Sequence, residues 1–356
     1  MSDPLRVALI ASVRFPVKEP FAGGLEAHTW TLARALRERG HRVDLFAAPG
    51  SDPGLGVREL PVHLPVLSKE ARADVSMPDP RWLEEHHAYL RLMLDLAADD
   101  GRRYDVIHNN SLHYLPVAMS PAVRGPMFTT LHTPPTPWLE SAMQAHGPHR
   151  AVYSAVSLHT ASSWHPLVAD ARVIRNGVDT RRWRPGPGGD QLVWFGRIVP
   201  EKGPHLAALA ARKAGRRLRL VGPVGDRGYF DTNLRPLLDE NITYAGHLTG
   251  RDLAELVGRS AAALVTPCWD EPYGLVVAEA LSCGTPVCAF DRGALGEILT
   301  PECGTLAPPG DVDALADLIG HAVRLDRGSA RRRAEDFCSL EAMTDNYTDF
   351  YHELAA

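Results

Sequence analysis

Short apolar runs alternate with amphipathic stretches along the whole chain. The apolar runs are rich in Val, Ile, Leu and Ala and predict buried strands, while the stretches between them repeat their apolar positions with helical spacing. Strands are predicted at 5–12, 41–50, 104–110, 126–132, 151–157, 171–176, 192–197, 217–222, 242–246, 262–267 and 286–290. Strands that alternate with helices in this way form parallel sheets, so an α/β protein is expected.

The chain has 356 residues, which is more than one ordinary hydrophobic core. We therefore predict two Rossmann-like domains whose parallel sheets face each other across a cleft. The first comprises residues 1–167 and a C-terminal helix at 340–356, and the second comprises residues 168–339. Ligands of such sheets bind at the carboxyl ends of the strands, so site residues are expected just after strands.

Composition narrows the class of protein. The formal charge of −5 argues against general nucleic-acid binding. No apolar run reaches the length of a transmembrane helix, and the N-terminal stretch MSDPLRVALIASV is typical of a first strand rather than of a signal peptide. The five cysteines form no CxxC pair and predict reduced thiols, so a cytoplasmic protein is expected.

Two loops carry candidate anion-binding groups. Gly23 and Gly24 precede the first helix, where glycines allow close approach of a ligand to backbone amides, although a flexible loop would look the same. Arg197 follows a strand and Lys202, one of only four lysines, precedes a helix. Two cations in that position suit a diphosphate, and the alternative is a pair of solvated surface charges.

The stretch WDEPYGLVVAEAL, residues 269–281, places one acid at a helix entrance and another inside the helix. The first-turn amides beside Tyr273, Gly274 and Leu275 are expected to hold phosphate oxygens. Glu271 would then face the group attached to the phosphate, and Glu279 would accept hydrogen bonds from a diol such as ribose. Otherwise Glu271 is a loop charge and Glu279 is half of a surface ion pair.

His132 ends a strand and enters the Pro-rich loop TLHTPPTPW, where it is either a structural histidine or a site residue. The sequence contains no GxxxxGK[ST], HExxH or GxSxG motif. Asp311 and Asp313 follow PPG and open a helix, so a capping role is expected there rather than a metal site. No metal centre is predicted.

The order of motifs resembles the family 4 glycosyltransferases of GT-B fold. The matching stretches are FAGGLEAHTWTLARALRERGHRVDLFA, RNGVD, FGRIVPEKG, EPYGLVVAEALSCGTPVCAF and PPGDVDALADLI. The resemblance implies a retaining hexosyltransferase that uses a nucleotide-diphosphate sugar and no catalytic metal. A UDP-sugar is expected because it is the commonest donor in the family.

The resemblance also implies roles for the candidate residues. Arg197 and Lys202 would neutralise the donor diphosphate, and the amides of Gly274 and Leu275 would hold its oxygens. Glu271 would contact the donor sugar, and Glu279 would bind the ribose. Gly23 and Gly24 would approach the phosphates or the acceptor, and His132 would lie near the donor sugar and its 6-hydroxyl.

The acceptor is expected to contact loops at 12–24, roughly 60–100 and 132–146. The predicted helix at 81–100 carries more acids than bases, which favours a soluble small molecule over a membrane surface. Its aromatic side chains, with Trp138, either line an acceptor pocket or pack internally. The alternatives are a lipid or polysaccharide acceptor, a nucleotide-sugar epimerase of the same fold, and a non-catalytic nucleotide-sugar binding protein.

Overall fold

The computed structural model describes residues 3–145, 151–248 and 250–356. These residues divide into two compact units. Unit 1 comprises Met1–Val156, Ala161–Ile174 and Thr344–Ala356, and unit 2 comprises Ser157–Thr160 and Arg175–Met343. The chain therefore enters unit 2 twice, and its last helix begins in unit 2 and ends in unit 1.

Unit 1 contains a seven-stranded sheet in the order β3-β2-β1-β4-β5-β6-β7, with every neighbouring pair parallel. Its strands are β1 (Arg6–Ile10), β2 (Arg42–Ala47), β3 (Val57–Glu59), β4 (Val106–Asn109), β5 (Met127–Leu131), β6 (Val152–Ala155) and β7 (Arg172–Val173). The central strands are almost wholly buried, as expected when helices cover both faces of a parallel sheet.

Helices α1 to α6 follow strands of unit 1 in sequence. They are α1 (Gly24–Glu38), α2 (Lys69–Ala73), α3 (Pro80–Ala98), α4 (Tyr114–Ala118), α5 (Pro137–Ala145) and α6 (Leu158–Trp164). Helix α1 ends where Gly40 adopts the left-handed conformation that the sequence predicts for its stop. Helix α3 begins at Pro80 because the Asp79 carboxylate accepts hydrogen bonds from the first-turn amides of Arg81 and Trp82.

Unit 2 contains a six-stranded sheet in the order β10-β9-β8-β11-β12-β13, again wholly parallel. Its strands are β8 (Leu192–Phe195), β9 (Leu218–Val221), β10 (Ile242–Tyr244), β11 (Ala263–Val265), β12 (Val287–Phe290) and β13 (Gly304–Ala307). Its helices are α7 (Pro204–Lys213), α8 (Arg227–Tyr229), α9 (Gly250–Gly258), α10 (Leu275–Ser282), α11 (Leu295–Ile298), α12 (Val312–Ala322) and α13 (Arg327–Phe337), and α14 (Leu340–Ala355) closes the chain.

All eleven predicted strands are present, each a few residues shorter than its apolar run. The sequence pattern missed two strands at sheet edges, β3 and β13. β3 has three residues and half-buried or exposed side chains. β13 begins at Gly304 and is followed by Pro308 and Pro309, and glycine and proline in these positions are typical of a loop. Asp311 caps α12 by accepting hydrogen bonds from the amides of Asp313 and Ala314, as expected.

Candidate active site

Lys202 is held by a sharp connection between β8 and α7 in unit 2. A 3₁₀ turn at Pro200–Lys202 is followed by Gly203, which has φ +59° and begins the connection into α7. A Cβ on Gly203 would lie 2.2 Å from the carbonyl oxygen of Thr266, so only glycine fits. The backbone therefore packs against the end of β11 and carries Lys202 to the carboxyl edge of the sheet.

Lys202 and Glu271 are brought together there, although 69 residues separate them in sequence. The Lys202 Nζ lies 2.5 Å from Glu271 Oε2, and the Trp269 indole Nε1 donates to the same oxygen at 3.2 Å. Lys202 also lies 5.0 Å from the centroid of the Trp269 ring. The side chains of Lys202 and Glu271 are 25% and 13% exposed, so the ion pair is partly desolvated and its attraction is screened less than that of a surface pair.

The loop that carries Glu271 is fixed from both sides through its backbone. The Glu271 carbonyl accepts from the amide of Ala294 at 2.8 Å, and the Pro272 carbonyl accepts from the Ser157 hydroxyl at 2.6 Å and the Thr160 hydroxyl at 3.1 Å. A Cβ on Gly293 would lie 2.3 Å from the backbone nitrogen and oxygen of Glu271. The carboxylate is therefore presented by a rigid loop.

Helix α10 begins directly after this loop. Gly274 precedes it with φ +102° and ψ +56°, and its carbonyl accepts from the amide of Val277 at 2.9 Å. Within the described parts of the chain, the N–H groups of Gly274 and Leu275 are not donated to any protein acceptor. Unpaired amides at a helix N-terminus attract anions, so this end of α10 suits phosphate oxygens.

Gly274→Ala is expected to destabilise the protein and weaken binding at this helix end. The added Cβ would meet Leu295 Cδ2 at 2.5 Å as well as forcing a non-glycine residue into a positive φ. Gly310→Ala is the matched control, because Gly310 has φ +77° but a Cβ added there would meet no atom within 4 Å. We expect the free energy of unfolding to fall by at least about 1 kcal/mol more for Gly274→Ala. Equal losses in denaturant titrations would contradict the packing argument.

Glu279 lies on α10, half-buried and about one and a half turns beyond Gly274. Desolvation raises the pKa of Glu279 to about 8, and the nearby charge of Arg182 opposes part of this rise. The carboxyl group is therefore protonated at neutral pH, when it both donates and accepts a hydrogen bond. That combination suits a hydroxyl-bearing ligand, while an approaching donor of hydrogen bonds would favour the ionised form.

Glu279→Gln is expected to flatten the dependence of stability on pH. Between the unfolded pKa of 4.5 and the folded pKa of about 8, the folded state holds a proton that the unfolded state has lost. The contribution of Glu279 to the free energy of unfolding is therefore fully present below pH 4.5 and is lost as the pH rises towards about 8. Melting temperatures measured across that range should fall less in Glu279→Gln than in the parent. Glu255→Gln is the control, because Glu255 is exposed and pairs with Arg259 on the surface. It should leave the dependence of the melting temperature on pH as it is in the parent.

Two other predicted residues of unit 2 are placed differently from Lys202 and Glu271. Arg197 follows β8 and is exposed, and within the described residues it makes no hydrogen bond or ion pair to protein. Tyr273 is 3% exposed, so its side chain packs inside the unit rather than facing a ligand. Its hydroxyl lies beside the Cys338 thiol, and burial raises the pKa of Tyr273 well above its usual value.

The remaining predicted residues belong to unit 1. Gly23 adopts an extended conformation and precedes α1, and its carbonyl accepts from the amide of Ala27 at 3.2 Å. No side chain caps this helix end, and Gly24 is exposed. The exposed Gly24 therefore leaves its own backbone accessible to a ligand.

His132 follows β5 and joins a buried hydrogen-bonded chain. Its Nε2 lies 2.6 Å from Asn110 Oδ1, and the Asn110 amide lies 3.0 Å from His108 Nε2. His108 Nδ1 in turn contacts the Tyr351 hydroxyl at 2.7 Å. Because Asn110 Oδ1 is an acceptor, His132 carries its proton on Nε2, and its Nδ1 has a lone pair that can accept a hydrogen bond.

Burial keeps this group of histidines uncharged. The pKa of His132 and that of His108 are lowered well below the usual value by desolvation, with further lowering from His28. The ring of His28 packs edge-on against His132 at a centroid distance of 5.1 Å, and desolvation lowers its pKa to about 4. His132 is therefore a neutral hydrogen-bonding group at physiological pH and a weak base.

Sequence reasoning missed Trp269, Asn110 and His28 as site residues. Trp269 lies within the stretch at 269–281, two positions before Glu271. A tryptophan in the same loop as a candidate acid could have indicated a site residue. Asn110 comes directly after the apolar run of β4, the position at which site residues were expected. His28 gave no such signal, because it lies one turn into α1 and only the fold brings it to His132.

No cluster of three or more His, Cys, Asp or Glu side chains with the arrangement of a metal site occurs in residues 3–145, 151–248 and 250–356. The same residues include no helix long and apolar enough to cross a membrane. The five cysteines are free thiols.

Comparison with known proteins decides the family. Residues 22–182 match the family model described as Glycosyltransferase Family 4, and residues 180–336 match Glycosyl transferases group 1. A glycogen synthase of Mycobacterium tuberculosis is 30% identical over 88% of this chain and 85% of its own length. The chain belongs to the family 4 glycosyltransferases. A D-inositol 3-phosphate glycosyltransferase of Saccharomonospora viridis is 28% identical to this family 4 enzyme, over 99% of this chain and 95% of the relative.

Solved structures confirm the GT-B fold of this family 4 glycosyltransferase. HepE of Anabaena, solved in complex with UDP-glucose, aligns with a TM-score of 0.76 at 17% identity over 98% of this chain and all of that one. AviGT4, a glycosyltransferase involved in avilamycin A biosynthesis, aligns with a TM-score of 0.69 at 24% identity over 99% and 98% of the two chains. The two parallel sheets predicted from the sequence are therefore those of GT-B enzymes.

Proposed function

We propose that this enzyme transfers a hexose from a nucleotide-diphosphate sugar, in the first instance a UDP-sugar, to a soluble small-molecule acceptor. The observation that carries the proposal is the Lys202–Glu271 contact next to the open N-terminus of α10, all within unit 2. A cation, a carboxylate and unpaired amides side by side match a donor that has a diphosphate joined to a polyhydroxylated sugar.

Each group has a separate task in this proposal. The amides of Gly274 and Leu275 hold phosphate oxygens, and Lys202 balances the charge that develops on the diphosphate as the glycosidic bond breaks. The accessible guanidinium of Arg197 supplies a second cation. Glu271 accepts hydrogen bonds from sugar hydroxyls, and Glu279 binds the ribose. His132 offers its Nδ1 lone pair to a sugar hydroxyl, such as the 6-hydroxyl.

We further propose that transfer retains the configuration at the anomeric carbon and needs no metal. The bond from that carbon to the phosphate oxygen breaks while the acceptor oxygen bonds on the same face. The acceptor proton passes to the leaving phosphate oxygen, so no side chain acts as general base. Fixed cations take the place of a metal in stabilising the leaving group.

UDP is favoured as the nucleotide because HepE, which shares the fold, is seen with UDP-glucose. The acceptor has two candidates. A soluble small molecule is supported by α3, which has three acids and two arginines and therefore lacks the basic excess of a membrane-binding helix, and the similarity to D-inositol 3-phosphate glycosyltransferases agrees with it. A glucan polymer is favoured instead by the 30% identity to glycogen synthase.

A melting-temperature screen with UDP, GDP, ADP and their glucose conjugates tests the donor assignment, with EDTA present and absent. A ligand that binds only the folded state raises the melting temperature. We expect a selective rise with UDP and UDP-glucose that EDTA leaves unchanged. No rise with any nucleotide would overturn the proposed donor site, and a rise that EDTA abolishes would overturn metal independence.

Product analysis tests the reaction itself. Mass spectrometry should detect a hexosylated product from a panel of sugars, polyols and glucans, and the anomeric proton coupling should show the configuration of the donor. An inverted product would contradict the same-face route. Conversion of the donor sugar without an acceptor would favour the epimerase alternative.

A further inference from the structure

Unit 1 carries a cluster of exposed and half-buried aromatic rings, Trp82, His86, Tyr114 and Trp138, which we term the aromatic platform. Trp82 stacks on His86 at a centroid distance of 4.9 Å, and Tyr114 stacks on Trp138 at 5.2 Å. The two tryptophans are 6.3 Å apart. Trp138 is 57% exposed and Trp82 is 37% exposed, although large aromatic side chains are normally covered.

The platform is held rigidly from beneath. The Tyr114 hydroxyl lies 3.2 Å from His86 Nδ1, and the ring of His113 stacks between Tyr114 and the buried Tyr89 at centroid distances of 4.9 Å and 4.6 Å. The Tyr89 hydroxyl donates to the carbonyl of Ala11 at 2.8 Å. The platform rings therefore form a preformed surface rather than mobile side chains, and a preformed surface loses little entropy when it binds a ligand.

The platform lies at the carboxyl edge of the unit 1 sheet. Tyr114 follows β4, and Trp138 follows β5 through the loop that begins at His132. The Trp164 indole fixes this loop by donating to the Thr133 carbonyl at 2.7 Å. Ligands of parallel sheets bind at this edge, so the platform and His132 share the functional side of the unit.

The rim of the platform is polar and carries one positive and one negative side chain. Glu85 is one residue before His86 on α3 and three residues after Trp82, so it borders the tryptophan on the same helix face. Its carboxylate lies 3.4 Å from the Arg14 guanidinium, and the two side chains are 22% and 62% exposed. Glu85 can accept and Arg14 can donate a hydrogen bond, which neighbouring hydroxyl groups on one molecule can satisfy together.

We propose that the aromatic platform binds a saccharide ring of the acceptor, so that the acceptor is a glycoside or oligosaccharide. One face of a pyranose presents C–H groups that pack on an aromatic ring, while its edge presents hydroxyls that match Arg14 and Glu85. A hydrocarbon chain would offer no hydrogen-bonding group to Arg14 and Glu85, and displacing water from their charged side chains without replacing its hydrogen bonds is costly. The inference deepens the proposed function, on which its acceptor role rests.

Fluorine NMR on protein labelled with 5-fluorotryptophan tests this binding site without requiring turnover. The chain has seven tryptophans, and single Trp→Phe variants assign their signals. We expect methyl α-glucopyranoside and maltose to shift the signals of Trp82 and Trp138. Glycerol, which has hydroxyls but no ring face, should not shift them, and the signal of the fully buried Trp164 is an internal control.

The same spectra separate this inference from the donor assignment, because Trp269 contacts Glu271 and should respond to UDP-glucose. A Trp269 response with silent Trp82 and Trp138 signals would overturn the platform inference and support the donor site. The reverse pattern would support a saccharide surface and overturn the donor site. A platform response to a planar polyphenol but to no sugar would also overturn the inference.

Variants then measure the contribution of stacking. Trp138→Ala should raise the dissociation constant for maltose about three- to tenfold, in line with the energy of aromatic contacts. Leu94→Ala is the matched control, because Leu94 is 54% exposed and lies on the same helix as Trp82 but outside the platform. Equal affinities of Trp138→Ala and the parent would overturn the stacking role.

Discussion

Lys202→Ala is expected to lower kcat/KM for transfer about 10²- to 10³-fold, the usual effect of removing one group that stabilises developing charge. The same change should weaken the binding of free nucleoside diphosphate at least about tenfold, since hydrogen bonds between charged groups are among the strongest in proteins. It also leaves the Glu271 carboxylate without its cation in a site where that carboxylate is 13% exposed. Steady-state rates and calorimetric titration with UDP measure the two effects.

Lys213→Ala is the matched control, because Lys213 lies at the end of α7 and pairs with Asp313 on the surface. The Lys213→Ala variant should have the same affinity for UDP and the same kcat/KM as the parent. If Lys202→Ala binds UDP as tightly as the parent does, Lys202 does not contact the diphosphate and the proposed site is wrong.

Glu271→Gln is expected to lower kcat about 10²-fold while leaving the affinity for free UDP within a few-fold of the parent. The amide keeps the size of the carboxylate and can still accept from the Trp269 indole, but it loses the negative charge beside Lys202. The effect should therefore appear in turnover, where contacts to the sugar count, and not in the binding of a nucleotide without sugar.

Asp270→Asn is the control for Glu271→Gln, since Asp270 is the preceding acid and pairs with Arg292 on the surface. We expect it to alter kcat by less than about threefold, as is usual for exposed ion pairs. Equal losses of turnover and UDP affinity in Glu271→Gln would show that Glu271 acts on the nucleotide and not on the sugar.

The sequence predicted the succession of strands along the chain because buried parallel strands are continuous apolar runs. β3 was missed because it has only three residues and no buried side chain, and β13 was missed because Gly304 and the pair Pro308–Pro309 at its ends are typical of a loop. The strand ends then pointed to Lys202, Glu271 and His132, because each follows a strand in a parallel sheet. The sequence also predicted the capping of α12 by Asp311, since a cap depends only on neighbouring residues.

Contacts between segments that are far apart in sequence cannot be predicted from the pattern of hydrophobic and polar residues alone. The Lys202–Glu271 ion pair joins two loops that follow different strands, and the sequence interpretation gave the two residues separate partners on the donor. The burial of Tyr273 likewise depends on α13 and the Cys338 region, which no local pattern indicates. The chain from His132 to Tyr351 joins β4, β5 and α14, so it exists only in the folded unit.

The glycines of unit 2 have a consequence for protein engineering. A methyl group at Gly203, Gly222, Gly274 or Gly293 would collide with a backbone oxygen or a neighbouring side chain, at 2.2, 1.8, 2.5 and 2.3 Å respectively. The backbone at these four positions is therefore closely packed and has no room for a side chain. A library aimed at new donor preference should keep these four codons fixed and place its diversity at Trp269, whose indole contacts Glu271, so that the backbone frame stays intact.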